Sequence, residues 1–251
     1  NVVVGDEAGT ALTTGDANVA VGYAALLTED AASSSIAIGS STLRNQNAGS
    51  GEAFNTAVGH NAGREVITGV QNTLIGGLAG DALTTGVQNV AVGYNALSTE
   101  DGHGANVAVG MNALSTQNAG VDAYNTAVGH AAGAQITTGV RNTLMGSIAG
   151  DALTDADLNV AFGYQALSGD TLGSRSTAIG SYALQAQNHT SATSTYNVAV
   201  GADAGLLVST GIKNTIIGGL AGDALTDADD NVVLGYSALS ADTLGSRSIA
   251  I

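Results

Sequence analysis

NTLIG, residues 72–76, is one of fifteen copies of a pentapeptide spread along the whole chain. The pattern is Asn, then Val, Thr or Ile, then two apolar residues, then Gly. It begins at Asn1, Asn18, Asn55, Asn72, Asn89, Asn106, Asn125, Asn142, Asn159, Asn197, Asn214 and Asn231. At Ser35, Ser176 and Ser248 it begins with Ser, and the last copy stops at Ile251. The interval is 17 residues, except for 20 after Ser35, 19 after Asn106 and 21 after Ser176. Such a period is too short for a helix pair and suits one turn of a parallel β-solenoid.

Counting each coil from its Asn or Ser as position 1, position 2 is β-branched throughout and position 3 is Ala in ten of fifteen coils. Position 4 is always apolar and position 5 is Gly wherever it is reached. A β-branched run ended by Gly reads as a short strand and a bend. Position 8 is Ala in every coil but one, where it is Thr42. Position 9 is Leu or Gly, and each Gly there is followed by an apolar position 12, as at Leu12, Val66, Leu83, Ile136, Leu153, Val208 and Leu225. Each coil therefore has a second inward anchor in one of two places.

The coils also repeat in fours. One type carries Tyr at position 6 (Tyr23, Tyr94, Tyr164, Tyr236), the next a longer loop, and the third often a His (His60, His130). The fourth reads NT(L/I)(I/M)G followed by AGDAL. The superrepeats run 18–88, 89–158 and 159–230, with partial ones at both ends. We expect residues 1–251 to form one continuous segment, a window on a longer repetitive protein. One coil alone does not fold. Ordering 17 residues costs roughly 1–2 kcal/mol each in backbone entropy, and about five buried apolar side chains return at most ~3 kcal/mol each. Stacked at ~4.8 Å, fifteen coils predict a rod of about 70 Å.

Side chains at positions 2 and 4 point one way and position 3 the other. All three are apolar, which predicts a strand covered on both faces. The expectation is that positions 2 and 4 fill the coil and that position 3 forms an interchain face: Ala20, Ala57, Leu74, Ala91, Ala108, Ala127, Leu144, Ala161, Ala199 and Ile216. Identical chains packed around a threefold axis are the simplest cover for it. The recurring Asn side chains (Asn18, Asn55, Asn72, Asn89, Asn106, Asn125, Asn142, Asn159) predict stacked amide ladders.

Composition narrows the function. With 36 Gly, no Pro, Cys or Trp and nine aromatics, a thin aliphatic core is expected. A net charge of −15 with six Lys and Arg argues against nucleic-acid or anionic-membrane partners. No apolar run reaches the ~20 residues that span a bilayer, so no membrane insertion is expected.

The repeats NVAVGYNAL (89–97), NVAVGMNAL (106–114) and NVAFGYQAL (159–167) resemble the head repeats of trimeric autotransporter adhesins, the YadA-like β-roll. They are also similar to the 17-residue repeats of phage tail-fibre-like proteins. The resemblance covers essentially the whole chain. It implies a left-handed roll, a homotrimer and attachment at a cell surface or on a virion. Adhesin head coils are generally shorter, and the four-coil superrepeat departs from the family pattern.

The longest loops run Gln46–Phe54, Gln117–Tyr124 and Gln187–Tyr196. They recur every fourth coil, about 19 Å apart, and are the candidate recognition loops for a cell-surface receptor or glycan. Their closing aromatic residue reads as a packing plug. Asp155, Asp157, Asp227 and Asp229 are the candidate Ca²⁺ ligands. They lack the glycine-rich nonapeptides of calcium-binding solenoids, and a solvated acidic face is the favoured reading; no other cofactor is expected. Nearly every charged residue has a copy one superrepeat away, which marks a scaffold and not an enzyme. The expected function is a non-enzymatic extracellular fibre segment for attachment. The alternatives are a homopolymeric filament without a receptor and, behind it, an ice-binding solenoid, whose Thr array (Thr13, Thr84, Thr137, Thr154, Thr226) is interrupted.

Overall fold

The computed structural model describes residues 1–251. The chain is an all-β parallel β-solenoid of about fifteen coils, and it falls into two compact units, Asn1–Asn125 and Thr126–Ile251. The boundary lies inside the superrepeat 89–158.

In the first unit the strands are β1 (Val2–Val4), β2 (Val19–Val21), β3 (Ala32–Ser33), β4 (Ile36–Ile38), β5 (Gly51–Glu52), β6 (Thr56–Val58), β7 (Thr73–Ile75), β8 (Val90–Val92) and β9 (Val107–Val109). The pentapeptide strands pair in the order β1-β2-β4-β6-β7-β8-β9, while β3 pairs with β5. In the second unit they are β10 (Thr126–Val128), β11 (Thr143–Met145), β12 (Val160–Phe162), β13 (Gly173–Ser174), β14 (Thr177–Ile179), β15 (Thr193–Ser194), β16 (Val198–Val200), β17 (Thr215–Ile217), β18 (Val232–Leu234) and β19 (Ile249–Ala250). Their order is β10-β11-β12-β14-β16-β17-β18-β19, with β13 beside β15. Pairing is parallel and position on position. Thr73 faces Val90 across a 17-residue step, and Ile36 faces Thr56 across a 20-residue step, so the long loop leaves the register untouched.

The interior is the reverse of the expected one. Ala20, Ala57, Leu74, Ala91 and Ala108 in the first unit, and Ala127, Leu144, Ala161, Ala199 and Ile216 in the second, are fully buried within their own chain. They form no interchain face. Positions 2 and 4 stand outward instead, as in β8, where Ala91 is buried between two half-exposed valines. The cause is strand parity. Position 1 is a buried Asn or Ser in each complete pentapeptide after the first, and the residue two places along a strand points the same way. An inward Asn therefore places position 3 inside. Small residues at positions 3 and 8 keep the two walls close.

The four-coil superrepeat is a packing cycle. Where position 9 is Leu, that Leu is fully buried at Leu26, Leu43, Leu97, Leu114, Leu167 and Leu184, and only the last, Leu239, is half-buried. Where it is Gly, neighbours occupy the space. A Cβ on Gly63 would lie 2.9 Å from Leu43 Cδ2 of the preceding coil and 2.6 Å from Leu74 Cδ1 of the following one. One on Gly80 would lie 2.7 Å from Leu74 Cδ2 and 2.8 Å from Leu83 Cδ1. The fourth coil type thus carries its bulk at positions 3 and 12 and leaves position 9 bare.

The backbone turns by left-handed residues that the sequence does not advertise. Position 5 needs Gly: Gly76 has φ +134°, and a Cβ there would run into the Gly93 carbonyl. Positions 7, 9 and 17 are also left-handed although most carry side chains. Asn95 (φ 58°), Leu97 (φ 51°) and Gln88 (φ 59°) illustrate the three places. Isolated, each costs about 1–2 kcal/mol. In the stack their N–H groups are used between coils, as when Asn95 N–H donates to Gly77 O at 3.0 Å and Leu97 N–H to Ala113 O at 3.0 Å.

Candidate assembly face and loop edge

Parity turns both outer columns of the pentapeptide sheet toward solvent. Position 2 supplies Val, Thr and Ile, and position 4 supplies Val, Ile, Met, Phe and Leu. Ile36, Ile38 and Ile75 are 37–39% exposed, and Phe162 is 52% exposed. Neither column holds a charged residue in any coil, although the chain has 27 of them, 21 acidic and 6 basic. Beside position 4, the position-6 side chains Tyr23, Tyr94, Tyr164 and Tyr236 are exposed, as are His60 and His130. A Cβ at Gly77 would stand 3.5 Å from the Tyr94 ring, so that ring lies back over the coil before it. Each unit thus presents an uncharged, mostly apolar sheet face, with Thr interspersed at position 2, and a tyrosine border.

Along the other edge, the corner just before the next pentapeptide, which is position 17 in the short coils, carries Phe54, Tyr124 and Tyr196 in the three long ones. They close the long loops, but they are not plugs. They stand at left-handed corners (φ 51°, 53° and 52°), and each is more than half exposed. Arg175 lies 5.8 Å from the centre of the Tyr196 ring. The loop-opening residues Gln46, Gln117 and Gln187 are completely buried and present nothing to a ligand. The exposed loop tips are 49–52, 120–122 and 190–192.

Those three glutamines belong to a polar layer that the reading of the motif columns overlooked. Position 12 is Leu, Val or Ile when position 9 is Gly. When position 9 is Leu it is Glu29, Gln46, Glu100, Gln117, Asp170, Gln187 or Asp242. Glu29, Glu100 and Asp170 are fully buried. Glu29 Oε1 accepts N–H groups from Ala31 (3.2 Å) and Ala32 (2.7 Å), and Oε2 accepts from Gln46 Nε2 (2.9 Å) and Ala48 N–H (3.2 Å). Gln46 Oε1 in turn accepts from Asn55 Nδ2 at 2.9 Å. The same relay joins Asp170, Gln187 and Asn197. Each buried carboxylate therefore ties down the root of the loop that follows it. Burial pushes the Asp170 carboxyl up, but donors from His189, Gln187 and Gly173 outweigh burial and hold it below the ordinary Asp value.

The Asn column differs from a simple amide ladder. Asn72 Nδ2 donates to Gly86 O of its own coil at 2.8 Å, and its Oδ1 accepts the backbone N–H of Asn89 in the next coil at 2.9 Å. Asn55 and Asn159 do the same, and Asn18 reaches Ser35 N–H. Amide-to-amide contacts, such as Asn72 Nδ2 to Asn55 Oδ1 at 3.3 Å, are the longer ones. Ser at position 1 keeps the backbone N–H that the previous Asn needs.

The candidate Ca²⁺ ligands serve as hydrogen-bond acceptors, three of them between coils and Asp227 within its own coil. Asp157 Oδ1 takes Val140 N–H at 2.8 Å, and Asp229 Oδ1 takes Ile212 N–H at 2.8 Å. Asp155 and Asp227 accept threonine hydroxyls. No third ligand gathers around either pair. The one grouping of three with metal-ligand spacing is Glu100, Asp101 and His103, and its Glu100 already accepts His103 N–H and Gln117 Nε2. Asp81 and Asp151 are held above the ordinary Asp value by burial, partly opposed at Asp81 by Arg64.

Comparison with family models, with curated proteins and with solved structures finds no match to this chain. No helix is long and apolar enough to cross a membrane.

Proposed function

We propose that the chain is a non-enzymatic structural segment of an extracellular fibre, on a cell surface or virion, whose copies associate side by side through the outer face of the pentapeptide sheet. The observation that carries this reading is the pair of charge-free columns at positions 2 and 4, the second apolar throughout and the first a mixture of Val, Ile and Thr. A protein of net charge −15 gains solubility from charge, yet two residues of every coil exclude it. In the first unit the columns comprise fourteen side chains. Twelve are Val or Ile and two are Thr; at roughly 50 Å² each the twelve offer about 600 Å², at the upper end of the largest apolar patches on monomers and approaching the ~800 Å² per partner of a stable interface. The resemblance to trimeric adhesin heads favours three chains around the shared face. The outward Phe54, Tyr124 and Tyr196 and the loop tips beside them are then the surface offered for attachment to a receptor or glycan. A homopolymeric filament without a receptor is the second reading, and the same face serves it.

The test is native mass measurement on the wild-type chain and on an Ile75→Lys/Val92→Lys variant. Both replaced side chains point outward, so the variant is expected to keep its far-UV spectrum and lose the assembled species. A wild-type chain that stays monomeric at tens of micromolar sinks the assembly reading. A trimer separates the first reading from an open-ended filament.

A further inference from the structure

The third superrepeat holds a histidine that no structural column explains. His189 is 6% exposed and sits in the loop after Gln187, between the coils before and after it. Its Nε2 lies 3.2 Å from the Thr210 carbonyl of the following coil. Its Nδ1 is buried, makes no hydrogen bond, and points at Asp170 Oδ1 of the preceding coil, 3.8 Å away. A carbonyl oxygen only accepts, so Nε2 must carry a proton. In a neutral ring Nδ1 would then aim a lone pair at a buried carboxylate. Two acceptors facing two ring nitrogens are satisfied only by the imidazolium.

We infer that His189 is a proton-operated latch: as imidazolium it bridges Asp170 and Thr210 and pins the loop 187–196, and on deprotonation it lets that loop go. The backbone is arranged to transmit this. His189 N–H donates to Asp170 Oδ1 at 3.0 Å, and its carbonyl accepts Thr171 Oγ1 at 2.9 Å and Leu172 N–H at 3.2 Å. Asp170 is the one ionisable group facing the ring. The remaining partners from all three coils, Gln187, Thr171 and Thr210, do not titrate. The Asp170 carboxylate raises the His189 pKa above 6.5, with burial pulling the other way. The latch energy is thus present in full below the unfolded value of about 6.5 and is lost as pH rises through the higher folded value. For Asp170, held below its usual value, the contribution is lost only as pH falls through that lower value. The latch is closed in mildly acidic solution and opens as pH rises through the folded His189 value. The second superrepeat sets an imidazole against the equivalent carboxylate from another sequence position: His103 Nδ1 lies 3.5 Å from Glu100 Oε1.

The full chain is titrated by NMR, with the His189 ring signal assigned by its loss in His189→Gln, and amide exchange is followed across 188–196. The expected His189 midpoint lies above 6.5, and Asp170→Asn lowers it. Loop protection, corrected for intrinsic exchange, falls about tenfold or more through that midpoint in the wild type and stays flat in His189→Gln. A wild-type midpoint at or below 6.5 overturns the latch. So does a loop whose protection follows the same pH course in both proteins.

Discussion

The inward placement of position 3 is tested most directly by a double-mutant cycle on Leu74 and Gly80. Leu74 is completely buried, and a Cβ on Gly80 would meet its Cδ2 at 2.7 Å and Leu83 Cδ1 at 2.8 Å. Leu74→Ala removes a packed side chain from a narrow interior and is expected to cost about 3 kcal/mol, within the range of buried Leu→Ala changes. Gly80→Ala alone overpacks the same spot by about 1–3 kcal/mol, with about 1 kcal/mol more for a left-handed Ala. In the double variant one clash is gone and the new methyl occupies part of the vacated volume. The pair should therefore be less destabilised than the sum of the singles by about 1–2 kcal/mol. Chemical unfolding gives the totals. Hydrogen exchange of the coil at 72–88 localises the loss, which matters in a stacked array that need not unfold in one step. If Leu74 faced solvent, Leu74→Ala would fall within about 0.5 kcal/mol of the wild type. That result, or simple additivity within about 0.5 kcal/mol, would falsify the packing cycle.

Two further outcomes follow from the buried polar groups. Asn72→Ala leaves Asn89 N–H and Gly86 O without their partners and is expected to cost about 2 kcal/mol or more, at 1–3 kcal/mol per orphaned group; an unfolding midpoint equal to wild type would mean water or a neighbour replaces the amide. Asp151→Asn should raise the melting temperature at neutral pH, where the wild-type carboxylate is charged and partly desolvated with a buried, unpartnered Oδ1. Its folded pKa is raised, so the wild type regains stability as pH falls through that value, and the advantage of the variant must shrink in acid; an advantage independent of pH would point to another cause.

The coil count, the parallel pairing and its constant register were legible in the sequence because fifteen copies of one strand at a short period leave few other folds. The face assignment was not read correctly, although the information was present. Asn72 inside and Leu74 outside are incompatible in a strand with a two-residue alternation, and the amide decides because a buried polar side chain so regularly bonded dictates its own side. The polar layer was legible in the same columns: a Leu at position 9 goes with Glu29, Glu100 and Asp170 as strictly as a Gly at that position goes with Val66 and Leu83. The left-handed corners were not legible. Leu97, Leu158 and Arg175 occupy them, residues whose local preference is against that conformation, and their N–H groups are bonded to adjacent coils there. Phe54, Tyr124 and Tyr196 read as plugs and stand instead at an exposed edge.

The two ends of each Asn side chain have different clients. Asn72 Nδ2 closes the coil to which Asn72 belongs, whereas Oδ1 receives the coil that comes after it in the chain. Each coil of the stack thus holds out a fixed acceptor, at the right place and height, for the coil that follows it. The amide column is therefore polar along the chain: each such Asn both shuts its own turn and seats the next, so an Asn lost at one level loosens two neighbouring turns.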